Sequence, residues 1–139
     1  MSEAAPQTMS ERAPVRGIVF SHGRVGEALV EAVRGITGCP EDALSWLSNT
    51  EGSPDVLRER LQALLSEGPT VVFADVRASS CTNVARLSCV AADPNRAAVV
   101  VGVNMPMLLD FVFNRDTSLP ELVPRLVDRG RGGIEVTTP

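Results

Sequence analysis

The chain has 139 residues, 44% of them apolar and 22% charged, with a formal net charge of −4. That length suits one compact domain with a buried core, and the acidic balance argues against a nucleic-acid binder, which needs a basic patch. No apolar run is long enough to span a membrane, no signal-type apolar segment opens the chain, and Cys39, Cys81 and Cys89 fit neither a disulfide framework nor a zinc site. A cytoplasmic protein with reduced thiols is the expectation. Every basic side chain is Arg, and Tyr is absent.

Residues 1–14 are rich in Ala, Pro, Ser and Glu and read as an N-terminal arm outside the fold. A single domain then fills 15–139. Val15 to Ser21 is apolar without strict alternation, the pattern of a strand buried on both faces. Val25, Leu29, Ala32, Val33 and Ile36 recur at helical spacing, with Gly35 and Gly38 as stops. A short strand is expected over Ala43 to Leu47. Ser53-Pro54-Asp55 opens a second helix: Ser caps, Pro fits the first turn and Asp complements the dipole. Gly68-Pro69 stops it. Thr70 to Val76 is the third strand, and a helix follows near Asn83 to Ala92. Ala97 to Val103 is the fourth strand. Helices over Met105 to Asn114 and Leu119 to Arg129 come next, and Ile134 to Thr138 reads as a final strand. Alternating strands and helices call for an α/β fold, an open, mainly parallel sheet with helices on both faces. The expected strand order is 2-1-3-4, with the C-terminal stretch as an extra strand.

His22 is the only histidine, and it stands where the first strand turns into a helix. A lone histidine is more often a surface residue or a satisfied core residue. Here, however, Gly23 and Gly26 let the backbone approach a bound group, and the helix after it offers free N–H groups to an anion. Phosphoryl chemistry or general-base work fits such a place. A metal is disfavoured, with no second His and no Cys pair at ligand spacing. Asp75 ends an otherwise apolar strand, a position where Asp is uncommon. It either caps the next loop or, in a 2-1-3-4 sheet, sits beside His22 and fixes its ring. The loop Ala78 to Asn83 is small and hydroxyl-rich. It suits a phosphate, or simply a helix cap from Thr82 or Asn83. Cys81 and Arg86 have four residues between them, one short of a cysteine-phosphatase signature. Arg24 and Arg77 flank the site and are either anion contacts or solvated.

Three segments together resemble the mannose-family IIA domain of the bacterial phosphoenolpyruvate:sugar phosphotransferase system. They are Ser21-His22-Gly23 with Gly26-Glu27-Ala28-Leu29, then Asp75 to Asn83, then Gly102-Val103-Asn104-Met105-Pro106-Met107-Leu108. The second matches the family's Asp-Leu-Phe-Gly-Gly-Ser-Pro-x-Asn at Asp, Ser and Asn. The resemblance implies that His22 accepts a phosphoryl group from the histidine-containing phosphocarrier protein and passes it to a IIB-type acceptor in trans. It implies that Asp75 holds the other ring nitrogen. Gly23, Ser80 and Thr82, with Arg24 and Arg77 alongside, would lie at the phosphate, and Asn104 and Met105 would form a wall. A homo-oligomer is implied, commonly a dimer that exchanges its C-terminal strand. No cofactor is implied. The family's two glycines are Ala78 and Ser79 here, a change that makes left-handed backbone costlier. It leaves room for an alternative, a regulatory or degenerate IIA-like binding module.

Overall fold

The structure is a computed structural model that describes residues 13–90 and 92–138. Most of the expected N-terminal arm, residues 1–12, lies outside them. Strand β1 is Arg16–Ser21, β2 Leu44–Ser48, β3 Thr70–Ala74 and β4 Ala97–Val101. Helix α1 is Val25–Thr37, α2 Pro54–Leu65, α3 Ser80–Cys89, α4 Met105–Phe113 and α5 Leu119–Gly132. A single 3₁₀ turn, Asn49–Glu51, follows β2.

The strands form one sheet in the order β2-β1-β3-β4, and every pairing is parallel. The expected fold class and order are therefore present. Alternate residues of each strand feed two cores. Val19, Val71 and Phe73 pack with α1, α4 and α5 on one face, where Phe73 meets Phe111 edge-on at 5.2 Å. Ile18, Phe20 and Val72 pack with α2 and α3 on the other. Val19, Phe20 and Phe73 have no exposed surface. Each such side chain contributes about 1.5–3 kcal/mol by its burial. Trp46 on β2 is half-buried against the first core, opposite Val19 in register.

Several local expectations shift. Gly35 does not end α1; the helix runs on to Thr37, and Gly38 closes it in the left-handed conformation at φ 66°. Helix α3 begins three residues before the expected Asn83, because neither Thr82 nor Asn83 caps it. Ser79 does, its Oγ accepting the Thr82 N–H. The final strand does not form within the chain: 134–138 is irregular, and the sheet of described residues has four strands. A strand needs a partner edge, and sequence alternation alone supplies none.

The chain runs from β1 outward to β2, then returns across to β3 on the far side of β1. The carboxyl ends of β1 and β3 thus flank the point where the winding reverses. In open α/β sheets that crevice is the place for ligands and chemistry.

Candidate functional site

His22 directly follows β1, and Asp75 directly follows β3. The two strands are paired with Phe20 beside Ala74, so their next residues meet at one edge. The His22 backbone N–H donates to Asp75 Oδ2 at 3.0 Å, and ring Nδ1 lies 2.8 Å from the same oxygen. The Val76 N–H donates to Asp75 Oδ1 at 3.0 Å. The expected juxtaposition is therefore present in the geometry. Burial works against charge on Asp75, but the His22 N–H, the ring and the Val76 N–H outweigh it and hold the carboxyl below its ordinary 3.8. An ionised carboxylate only accepts hydrogen bonds, so Nδ1 carries the proton. In the neutral ring Nε2 then keeps its lone pair. The His22 side chain is 42% exposed and that of Asp75 14%, so the ring faces solvent while its partner does not.

Gly23 adopts φ 53°, the left-handed region that favours glycine, and this turn aims the chain from β1 into α1. Its N–H donates to Asn49 Oδ1 at 2.9 Å, and Ser48 Oγ donates to its carbonyl at 2.7 Å. Gly26 is expected from the sequence to admit a bound group; in the structure its bare Cα faces its own sheet. A Cβ there would lie 2.7 Å from Ser21 Oγ and 3.0 Å from the Val19 carbonyl oxygen. Ser21 Oγ in turn accepts the Gly26 N–H at 2.7 Å.

On the Asp75 side, Ser80 is the exposed first residue of α3. Ala78 and Ser79 take the place of two family glycines without strain. Among the described residues no non-glycine has positive φ, and Ser79 is extended at φ −158°. The expected backbone penalty is thus absent, and Ser79 adds a capping hydroxyl that glycine lacks. Thr82 is 1% exposed, and its hydroxyl donates to the Val76 carbonyl. The hydroxyl is committed to the loop. Cys81 is buried, and burial together with the Asp75 charge pushes its thiol up to about 11, so it is no thiolate nucleophile.

The two arginines face outward. Arg24 is 85% exposed and lies 3.5 Å from Glu27 in the first turn of α1. Arg77 is exposed and makes no ion pair among the described residues. The Val103 N–H donates to the Ala74 carbonyl at 3.1 Å, setting Asn104 and Met105 at the same sheet edge. The Asn104 side chain turns elsewhere: it caps α4 through the Met107 N–H and donates to the Gly130 carbonyl at 2.9 Å. Met105 packs half-buried against the first core. Ser48, Asn49 and Ser79 are the contributors that periodicity does not reveal. The Ser48–Glu51 capping-box spacing is the one sequence signal that touches them. Among the described residues, no three His, Cys, Asp or Glu side chains gather as a metal set, and no helix is long and apolar enough to cross a membrane.

Fold and site together define a class, an open parallel α/β domain that presents one histidine, held by a carboxylate, at its switch point. Comparison with known proteins narrows it. The profile of the EIIA-man family, described as PTS system fructose IIA component, matches residues 17–126. The mannose-specific EIIAB component of the phosphotransferase system of Escherichia coli K12 is 30% identical over 125 residues. That match takes in 85% of this chain but only 38% of the relative's length. Among solved structures, EIIA from Streptococcus agalactiae superposes with a TM-score of 0.80 at 20% identity, covering 88% of this chain and 96% of that one. The mannose/sorbose-specific IIA subunit from Enterococcus faecalis gives 0.77 at 24% identity, covering 91% and 97%. These two likenesses speak for the fold. The chain belongs to the EIIA-man family of phosphotransferase-system IIA components.

Proposed function

We propose that His22 is the phosphoryl acceptor, charged by the histidine-containing phosphocarrier protein and discharged onto a IIB-type domain of a sugar transport system in the cytoplasm. The Nδ1–Asp75 contact carries this reading. With Nδ1 protonated and held, Nε2 offers its lone pair to phosphorus. A P–Nε2 bond forms as the donor's P–N bond breaks, and that bond's electron pair returns to the donor nitrogen. Positive charge builds on the His22 ring, and the Asp75 carboxylate offsets it at 2.8 Å. Asp75 also holds the backbone, so the ring is placed before the donor arrives.

In this reading the N-terminus of α3, with the exposed Ser80, offers donors to the phosphoryl oxygens, whereas the first N–H groups of α1 are taken by the His22 carbonyl and Ser21 Oγ. Arg24 and Arg77 supply outward positive charge to the partner or the phosphate. Thr82 serves the loop and does not touch the phosphoryl group. Asn104 and Met105 shape the edge through backbone placement.

The test is phosphoenolpyruvate-dependent labelling through enzyme I and the histidine phosphocarrier, with His22→Ala as control. Acid-labile phosphate on the wild type alone is the expected result. Equal labelling of His22→Ala would overturn the assignment.

A further inference from the structure

The His22–Gly23 turn is gripped from two sides. From β3, Asp75 takes the His22 N–H and ring. From the end of β2, neighbouring side chains take both backbone polar groups of the next residue: Asn49 Oδ1 accepts the Gly23 N–H, and Ser48 Oγ donates to the Gly23 carbonyl. No neighbour crowds the place a Cβ would occupy at Gly23, which lies open for 4 Å. Glycine tolerates many conformations, so its left-handed one is held by hydrogen bonds, those from Asn49 and Ser48 and the Val25 N–H to the His22 carbonyl that spans it. A turn of the His22–Gly23 peptide would release its N–H from Asn49 and change the backbone that carries the His22 ring.

Asn49 is itself well placed for that task. It opens the 3₁₀ turn, whose start is tied by Ser48 Oγ accepting the Thr50 N–H at 3.2 Å. The Glu51 carboxylate closes the same turn onto the Ser48 N–H at 3.4 Å. The Asn49 side chain also lines a small cavity of about 130 Å³ together with Ser80, the first residue of α3. It therefore stands between the histidine turn and the helix end that faces the site.

We propose that Asn49 is a positioning residue for phosphoryl uptake. By holding the Gly23 N–H it fixes the backbone at which the His22 ring meets Asp75 through Nδ1, and so keeps Nε2 as the reacting nitrogen. The proposal rests on His22 as acceptor; Asn49 touches neither phosphorus nor the partner.

The experiment uses the full chain as wild type, Asn49→Ala and Asn49→Asp. Ring-nitrogen NMR shifts of His22 report its tautomer. Phosphorylation is timed with phosphoramidate, which needs no partner, and with the phosphorylated carrier protein. In Asn49→Ala the single Nδ1–H signature becomes a mixture of tautomers, and uptake slows about tenfold or more, toward the roughly hundredfold that a 1 Å misplacement of reacting groups costs. Its urea midpoint stays near that of the wild type, because Gly23 is exposed and its N–H turns to water. Asn49→Asp keeps an acceptor oxygen at the same place and restores the wild-type ring signature. An alanine variant with the wild-type tautomer and rate overturns the proposal, as does a folded Asn49→Asp that restores nothing. If the wild type takes no phosphate on His22, the acceptor reading fails, while the ring signature still decides what Asn49 does.

Discussion

Replacing Asp75 with Asn separates the charge of this side chain from its shape. In the wild type, Oδ2 receives two donors from His22 and Oδ1 receives the Val76 N–H. An amide has only one oxygen. Turned toward His22, it keeps both of those bonds and sets its NH₂ against the Val76 N–H, which is exposed and can turn to water. Turned the other way, it loses two bonds. The first orientation wins, so the ring stays held and Nδ1 stays protonated. What disappears is the negative charge that faces a ring becoming positive. Two unit charges at 4 Å interact by about 1 kcal/mol in bulk water and about 4 kcal/mol near a protein surface. With the ring 42% exposed, the lower half of that range applies, about 1–2 kcal/mol. Each 1.36 kcal/mol is tenfold in rate, so uptake should slow roughly 5- to 30-fold. Rapid-quench timing of phosphate incorporation from the phosphorylated carrier measures this, and ring-nitrogen NMR checks that the tautomer is kept. A variant with the tautomer intact and the rate within twofold of the wild type would refute electrostatic compensation by Asp75.

Further outcomes follow from the same geometry. Gly26→Ala places a Cβ against Ser21 Oγ and the Val19 carbonyl. Overpacking costs about 1–3 kcal/mol and better helix propensity returns about 1, so urea unfolding should show a net loss of up to about 2 kcal/mol. A gain in stability would mean that α1 and β1 are not in such close contact. The depressed Asp75 pKa makes its contribution to stability fully present above the unfolded value near 4 and lost as pH falls through the lower folded value. The unfolding free-energy difference between wild type and Asp75→Asn should therefore shrink on acidification from about pH 5 downward, and a constant difference would contradict the ionised state. Ser79→Ala removes the α3 cap and should lower stability by about 1 kcal/mol, whereas Ser79→Gly should lose only a few tenths, as thermal melting would show.

The sheet and the His22–Asp75 meeting were legible because both follow from long-period signals. Apolar runs located β1 and β3, the alternation of strands and helices called for a parallel sheet, and the expected 2-1-3-4 order makes them neighbours. Side chains that grip the backbone leave no such period. Ser48 and Asn49 sit in an unremarkable polar stretch, and only the three-dimensional pairing of β2 with β1 brings them to Gly23. Gly26 was visible as a glycine, but its reason was not. A glycine that admits a ligand and one that admits a neighbouring strand look alike in sequence. The substitution at Ala78 and Ser79 looked costly because the family has glycine there, yet this loop runs through backbone that any residue adopts. The tail from Ile134 to Thr138 has the composition of a strand, but composition cannot say which edge would receive it.

The half-buried Trp46 gives the domain an optical handle. Because the chain has one Trp and no Tyr, its near-ultraviolet emission comes from a single indole. That indole lies two residues ahead of Ser48, on the strand that delivers the Gly23 clamp. A change of colour or anisotropy on unfolding reports the larger core, and a smaller change on binding reports the β2 edge of the histidine turn, with no label attached.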